Sequence, residues 1–189
     1  MKELKPAVLL FIVFTIICGG IYPAVVTGVA SIIFPKQAGG SMIADTNNRV
    51  VGSSLIGQPF SEAKYFWPRP SATSGFRYNP QASGGSNSGP TNADFIKTVG
   101  DRVQILRDSG VNGNIPADLA LASASGLDPH VSPEAANVQI SRVAKARGMT
   151  EESLTKLVAS HVEDRQWGLF GQPRVNILEL NLALDGMRR

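Results

Sequence analysis

The longest apolar stretch of the chain lies near its N-terminus, where residues 7–34 (AVLLFIVFTIICGGIYPAVVTGVASIIF) carry no charged side chain. At about 1.5 Å of rise per residue, a helix of this length reaches roughly 42 Å, and about 20 apolar residues already cross a bilayer core. In hydrocarbon a spanning segment must satisfy its backbone hydrogen bonds internally. The pattern therefore predicts one transmembrane helix over residues 7–34.

Three other interpretations of this segment fit it less well. A cleavable signal peptide has an apolar region of about 7–15 residues, whereas this one continues past the small residues Gly28 and Ala30 to Phe34. A lipoprotein needs a small residue before its acylated cysteine, but Ile17 precedes Cys18. A buried core helix is usually much shorter. We therefore expect an uncleaved membrane helix.

Within this segment, Pro23 and several glycines interrupt the large apolar residues. Pro23 lacks an N–H group and should kink the helix or divide it. Gly19, Gly20 and Gly28 would let another helix approach closely, since small residues favour helix packing in membranes. The alternative is that these glycines face lipid.

The flanking charges predict the orientation of the helix. Lys2 and Lys5 precede it, whereas Lys36 stands alone after it until Arg49. The positive-inside rule then places the N-terminus in the cytoplasm and the rest of the chain outside it. We expect a single-pass membrane protein whose main domain is exported from the cytoplasm.

The predicted organisation is a cytoplasmic N-terminus at 1–6, a transmembrane helix at 7–34 and an extracytoplasmic domain at 35–189. That domain is large enough for one hydrophobic core. Its basic and acidic residues nearly balance, and no cluster of Lys and Arg with interleaved aromatics marks a nucleic-acid surface. The only cysteine, Cys18, lies in the membrane segment, so the domain holds no disulfide.

Strand-like and helical patterns both occur in the domain and predict a mixed α+β fold. Residues 41–44 and 49–56 read as two short strands around the turn at 45–48. The tail at 175–184 is ambiguous, because its leucines alternate as in a strand while Asn176 and Glu179 have the spacing of a helix capping box. We favour a helix for the tail.

Three further helices are predicted from apolar stripes and capping residues. The first follows Asn92 and ends at Gly110, the second runs from the Ser132 cap to Gly148, and the third starts at Thr150. Their predicted buried positions are Phe95, Val99, Val103 and Leu106 in the first, Val138, Val143 and Ala146 in the second, and Leu154, Leu157, Val158 and Val162 in the third.

Motifs for catalysis or metal binding are weak in this sequence. His130 and His161 lack the ligand spacing of a zinc site and read as surface or structural histidines. There is no G-x-S-x-G elbow, phosphate loop or G-x-G-x-x-G fingerprint. We therefore predict no catalytic residue and no metal site.

The long Gly/Ser/Asn/Pro segment at 79–92 contains the one candidate ligand-contacting element, residues Ser83, Gly84, Gly85, Ser86 and Asn87. Successive backbone amides in a glycine-rich turn can hold an anion. The same composition is equally typical of a flexible loop or linker.

Several stretches spread over the chain resemble one family, the C subunit of the bacterial potassium-transporting P-type ATPase, KdpC. They are 22–28 (YPAVVTG), 66–72 (FWPRPSA), 79–92, 126–136 (GLDPHVSPEAA), 139–148 (QISRVAKARG), 173–176 (PRVN) and 180–185 (LNLALD).

The resemblance implies an accessory subunit of the bacterial inner membrane, with one membrane helix, a cytoplasmic N-terminus and a periplasmic (extracytoplasmic) domain, needed for assembly and activity. Its partners would be a channel-like potassium-translocating subunit, a P-type ATP-hydrolysing subunit and a small hydrophobic accessory peptide. The family has also been described as a catalytic chaperone that raises the ATP affinity of the pump subunit. Its proposed nucleotide motif would fall at Ala82–Ser86, with Ala82 and Ser86 departing from the pattern.

We expect the segment at 79–92 to be structural or to contact a partner and not to be a working ATP site, because it has no lysine and no phosphate-loop pattern and the predicted topology separates it from cytoplasmic ATP. Two other functions stay open. One is a membrane-tethered extracytoplasmic hydrolase that uses His130 or His161, and the other is an independent envelope-binding protein.

Overall fold

The computed structural model describes residues 3–45 and 48–187. The chain forms two compact units, Met1–Val51 and Gly52–Arg189. The predicted turn at 45–48 includes Thr46 and Asn47, which lie outside the described residues.

The first unit contains a continuous helix, Leu4–Ile33, that is long and apolar enough to cross a membrane. It comprises α1 (Leu4–Ile16), a π-helical turn (Ile17–Ile21) and α2 (Tyr22–Ile33). The helix thus starts three residues earlier and ends one residue earlier than the apolar stretch predicts. The π turn lies where the ring of Pro23 would otherwise collide with the carbonyl group four residues earlier. The expected division by Pro23 therefore takes the form of a widened turn.

After the membrane helix come α3 (Pro35–Ala38) and the predicted hairpin, β1 (Met42–Ala44) paired with β2 (Val50–Ser53). Asp45 closes the hairpin, since its backbone N–H donates to the Arg49 carbonyl and its carboxylate accepts from the Arg49 N–H, both at 2.9 Å. The hairpin is confirmed, but β2 ends at Ser53 and not at Ile56.

The second unit combines six α-helices with a small sheet in its described residues. Its helices are α4 (Ala93–Asp108), α5 (Ala117–Ala120), α6 (Pro133–Asn137), α7 (Ile140–Arg147), α8 (Glu151–Ser160) and α9 (Ile177–Gly186). Its strands are β3 (His130–Val131), β4 (Val162–Glu163) and β5 (Arg174–Asn176). The predicted mixed α+β architecture is confirmed.

The sheet of this unit is antiparallel, with β5 in the centre and the order β3-β5-β4. Val175 of β5 lies opposite both Val131 and Val162, and it is fully buried. The core packs around this sheet from α6 to α9. Its largest fully buried side chains include Leu154 and Leu180.

Two of the predicted helices begin at their predicted N-caps. Asn92 accepts a hydrogen bond from the Phe95 N–H, and α4 presents Phe95, Val99, Val103 and Leu106 on its less exposed face, with only Leu106 fully buried. Thr150 likewise caps α8, where Leu154 and Val158 are buried.

The second predicted helix is divided, because α6 ends at Asn137 and α7 begins at Ile140. At the division, the Gln139 N–H bonds to the carbonyl of Ala136, three residues back instead of four. This tighter turn accompanies complete burial of the Gln139 side chain. The predicted burial is confirmed for Val143 and wrong for Ala146, which is exposed.

The third predicted helix is shorter than its apolar stripe, since Val162 lies in β4 and His161 follows the last helical residue. The tail, whose pattern fits both a strand and a helix, contains one of each. It forms strand β5 up to Asn176 and then helix α9, in which Asn176 accepts from the N–H groups of Leu178 and Glu179. The predicted helix is therefore confirmed, with its start at Ile177.

Candidate functional site

An extended segment at residues 63–72, rich in aromatics and prolines, crosses helices α7 and α9 without a helix or strand of its own. Its centre is Phe66, whose side chain is 0% exposed. The side-chain amide of Asn181 on α9 pairs with the Phe66 backbone, accepting from its N–H at 2.9 Å and donating to its carbonyl at 3.0 Å. This amide satisfies two backbone groups that no strand satisfies.

Gln139 makes the same pair of contacts with the next residue of the segment. Its side-chain oxygen accepts from the Trp67 N–H at 2.7 Å, and its amide nitrogen donates to the Trp67 carbonyl at 3.1 Å and to the Ala135 carbonyl at 2.9 Å. Two side-chain amides, one from α9 and one from the turn between α6 and α7, thus replace the neighbouring strand that an extended backbone normally needs.

Arg142 on α7 holds the start of the segment and packs on its tryptophan. The guanidinium donates to the carbonyls of Ala63 and Tyr65 at 2.7 and 3.0 Å and to Gln139 at 2.6 Å. Its central carbon lies 4.1 Å from the centroid of the Trp67 ring, a cation–π contact. Burial lowers the pKa of Arg142 to about 10, so the side chain remains charged at neutral pH.

Arg147, at the end of α7, completes this attachment. It donates to the Lys64 carbonyl at 2.7 Å and to the Asp185 carboxylate at 2.7 Å. Asp185 also accepts from the Tyr65 hydroxyl at 3.1 Å. Most of the hydrogen bonds that Asn181, Gln139, Arg142 and Arg147 make with the segment involve its backbone N–H and carbonyl groups. They therefore fix the path of the segment largely independently of its side chains.

Beyond Trp67, the segment leads to a charged cluster beside β3. Arg69 donates to Asp128 at 3.1 Å, and Asp128 also accepts from the backbone N–H of His130 at 3.0 Å. Burial raises the pKa of Asp128, but the hydrogen bonds from His130 and the Arg69 charge outweigh this effect and hold the pKa below its ordinary value. The Tyr78 hydroxyl donates to the Arg69 carbonyl, and burial raises the pKa of that tyrosine.

The predicted anion-contacting loop, Ser83 to Asn87, packs on the neighbouring loop at 123–126. The Gly84 N–H and the Ser83 hydroxyl both donate to the Ser125 carbonyl, at 2.9 and 3.0 Å. Gly85 approaches so closely that an added Cβ would lie 3.2 Å from the Ala124 carbonyl oxygen. Ser86 and Asn87 extend beyond this contact, and Asn87 is exposed. The structure therefore gives the loop a packing role, and one of its amides is already occupied.

The two histidines lie apart, in different surroundings. His130 contacts Asp128, whereas His161 contacts Ser160 and the Leu157 carbonyl at the end of α8. In the described part of the chain, neither imidazole contacts both a hydroxyl group and a carboxylate. The described residues also contain no group of three or more His, Cys, Asp or Glu side chains placed to hold a metal ion.

The sequence patterns do not predict a role for the polar side chains that hold the extended segment. Gln139, Arg142 and Arg147 lie among the apolar stripe positions of the second predicted helix, and Asn181 lies among the leucines of the tail. Polar residues at such buried positions are a signal that a nearby backbone must be satisfied. The signal does not say which backbone.

Comparisons with known proteins match the whole chain. The family described as KdpC, the K+-transporting ATPase c chain, matches residues 4–186. The potassium-transporting ATPase KdpC subunit of Geotalea uraniireducens is 69% identical over 189 residues, covering 100% of both chains. That of Geobacter sulfurreducens is 68% identical over 185 residues, covering 98% of each. The match over residues 4–186 and the identity of 68–69% along nearly the full length show that this chain belongs to the KdpC family.

Proposed function

We propose that this chain is an accessory, non-catalytic subunit of a potassium-transporting ATPase complex in the bacterial inner membrane. Its partners are a channel-like potassium-translocating subunit, a P-type ATP-hydrolysing subunit and a small hydrophobic accessory peptide. In this assembly the domain supports assembly and ion entry, and the ATP-hydrolysing chemistry belongs to a different chain. The observation that carries the proposal is identity of 59–69% to five KdpC subunits over at least 98% of this chain.

Purification from native membranes tests this proposal. The full chain, tagged at its C-terminus and extracted in mild detergent, should bring down the channel-like and P-type subunits together with potassium-stimulated ATP hydrolysis. A preparation that contains neither subunit would overturn the proposal.

The membrane helix should bind a partner helix through Gly28. Apart from its chain neighbours and the backbone of its own helix, a Cβ at this position meets no described atom within 4 Å, so the subunit by itself has room for a larger side chain. Gly28→Leu should therefore leave membrane insertion unchanged but lower recovery of the partner subunits, because close helix packing in membranes depends on small residues. Equal recovery from wild type and variant would show that Gly28 faces lipid.

The domain lies on the periplasmic side in this proposal, which the Lys2 and Lys5 flank supports. A protease added to intact spheroplasts should digest the domain and leave a cytoplasmic control protein intact. Digestion that requires lysis would reverse the orientation.

The loop at Ser83–Asn87 supports the position of its neighbouring loop and does not bind ATP in this proposal. Three observations support a structural role. The Gly84 amide is bonded to Ser125, Gly85 packs on Ala124, and no lysine lies in the segment at 79–92. A predicted periplasmic location also separates the loop from cytoplasmic nucleotide.

A matched pair of glycine variants distinguishes structure from nucleotide binding. Gly84→Ala has room, because the nearest atom to its Cβ lies 4.0 Å away, whereas Gly85→Ala presses on the Ala124 backbone. We expect Gly85→Ala to lower complex recovery or the maximal rate and Gly84→Ala to have little effect, with the apparent ATP constant unchanged in both. A shift of that constant alone, at full assembly and maximal rate, would favour the catalytic-chaperone role.

A further inference from the structure

A pocket of about 320 Å³ opens between α4 and the extended segment, in the second unit. Its walls include three arginines, Arg69, Arg77 and Arg102, together with the aromatic rings of Phe60 and Trp67. No aspartate or glutamate is among the described residues that line it. We call it the arginine pocket.

The charges of the arginine pocket are poorly compensated within the described chain. The Arg77 guanidinium makes no hydrogen bond or ion pair with any described residue, and Arg102 donates only to the Ala120 carbonyl, at 3.0 Å. Arg69 is paired with Asp128, yet its Nε is buried without an acceptor among the described atoms. Each of the three arginines therefore has N–H groups available to a further acceptor.

The nearby carboxylates of α4 do not compensate these charges. Asp101 pairs with Lys97 at 2.6 Å, and Asp108 accepts from Gln104 at 2.7 Å. Burial lowers the pKa of Arg102, and the charge of Arg77 lowers it further, as expected for two neighbouring cations. Arg77 is exposed and Arg102 is half-buried, so the two like charges lie near each other at the open side of the pocket, where an anion would reduce their repulsion.

The shape and chemistry of the walls favour a carboxylate on a protein side chain. The volume lies at the lower end of the range for small-molecule sites, roughly 300–1,000 Å³. Three wall residues, Pro59, Pro68 and Pro70, have no N–H group, so this part of the wall offers no backbone nest for a phosphate. Guanidinium groups bind both carboxylates and phosphates through two parallel hydrogen bonds, so it is the missing backbone nest that favours a carboxylate here.

Two exposed apolar side chains belong to the segments that carry the pocket arginines. Ile105 on α4 lines the pocket and is 57% exposed, and Phe76, which precedes Arg77 in the chain but is not a lining residue, is 63% exposed. Arginine and aromatic residues are the types that most often dominate binding energy at interfaces. An acidic side chain flanked by apolar residues would complement both the pocket and these two side chains.

We propose that the arginine pocket receives an acidic side chain, Asp or Glu, from another subunit of the complex. This proposal rests on the proposed function, since it needs a partner chain on this face. The carboxylate bonds to Arg77 and Arg102, while its neighbours cover Ile105 and Phe76.

The test replaces Arg77 with lysine in the assembled complex. A water-soluble carbodiimide joins an amine to a carboxylate in contact with it, and a guanidinium does not react in this way. In Arg77→Lys, mass spectrometry of the treated complex should find an amide between residue 77 and an Asp or Glu of another subunit. Lys97 and Asp101, 2.6 Å apart, should be joined in every sample and report that the reagent has worked.

A charge reversal gives the second measurement. Arg77→Glu should lower recovery of the partner subunits by roughly tenfold or more, because the reversal places two carboxylates opposite each other in the proposed pair. Arg107→Glu, on the exposed face of α4 and outside the pocket, is the matched control and should retain the partners.

Three outcomes would overturn the inference. The first is an intact complex with the 97–101 product but no intersubunit product at residue 77. The second is full recovery of the partner subunits with Arg77→Glu, which would mean that no subunit contacts the pocket through this arginine. The third is a wild-type preparation without ATPase subunits, which would remove the proposed function and this inference together.

Discussion

Val143→Asp is expected to unfold the Gly52–Arg189 unit. The Val143 side chain is 0% exposed and belongs to the hydrophobic core cluster. An aspartate there would either bury an unpaired charge or take up a proton, and both remove apolar packing. We expect a loss of more than about 4 kcal/mol, a large part of the stability of an ordinary domain. Circular dichroism of the full chain in detergent should show no cooperative melting of the domain.

Ala146→Asp is the matched control for this substitution. It places the same charge on the same helix, three residues later, at an exposed position. Near the helix C-terminus a negative charge costs about 0.3–1 kcal/mol, so the domain should still melt cooperatively. Equal melting of the two variants would mean that α7 presents a different face to the core.

Asn181→Ala should also destabilise the domain strongly, though less than Val143→Asp. The Asn181 side chain is 1% exposed, and it bonds both the N–H and the carbonyl of buried Phe66. Its removal leaves two buried backbone groups without partners, at about 1–3 kcal/mol each. For a domain of this size, a loss of about 3 kcal/mol lowers the melting temperature by roughly 6–12 °C. Thermal melting of the full chain in detergent measures this shift.

Asn137→Ala controls for the loss of an asparagine as such. Asn137 ends α6, is exposed, and makes no side-chain hydrogen bond with a described residue. We expect its melting temperature to change by about 2 °C or less, as is usual for surface substitutions. Should Asn181→Ala match this control, the Phe66 backbone would have to find other partners, and the attachment of the segment would not depend on α9.

The sequence alone predicts the parts of this fold that depend on local interactions. The membrane helix follows from an uncharged run, and the caps at Asn92, Thr150 and Asn176 follow from short polar side chains placed before apolar stripes. In each case the interacting groups lie within a few residues of each other, so spacing is enough to find them.

The division of the second predicted helix shows where local reasoning fails. Ser132 and Gly148 mark its two ends correctly, and nothing between them signals a break. The break lies at Gln139, whose buried side chain bonds the backbone of Trp67, 72 residues away in sequence. A contact of this range outweighs the small difference in energy between a three-residue and a four-residue hydrogen bond.

The candidate site shows the same difference between local features, which the sequence predicts, and long-range contacts, which it does not. The sequence singles out Ser83–Asn87 because glycine and serine mark a flexible turn, but only the fold shows that Gly84 and Gly85 pack on the loop at 123–126. The arginine pocket had no sequence signal at all. Arg69, Arg77 and Arg102 are dispersed over three parts of the chain and form no motif.

By itself, the sequence determined the membrane helix, the mixed α+β class and the family. Hydrophobic runs, helix caps and short motifs each lie within a few neighbouring residues, so they can be read without the fold. The tertiary structure decided how the extended segment is held and where charge accumulates. An extended backbone without a neighbouring strand must take its hydrogen bonds from side chains, and Asn181, Gln139 and Arg142 reach it only after α7 and α9 have packed. Those long-range contacts are set by the packing of the whole domain, which no short window of sequence contains.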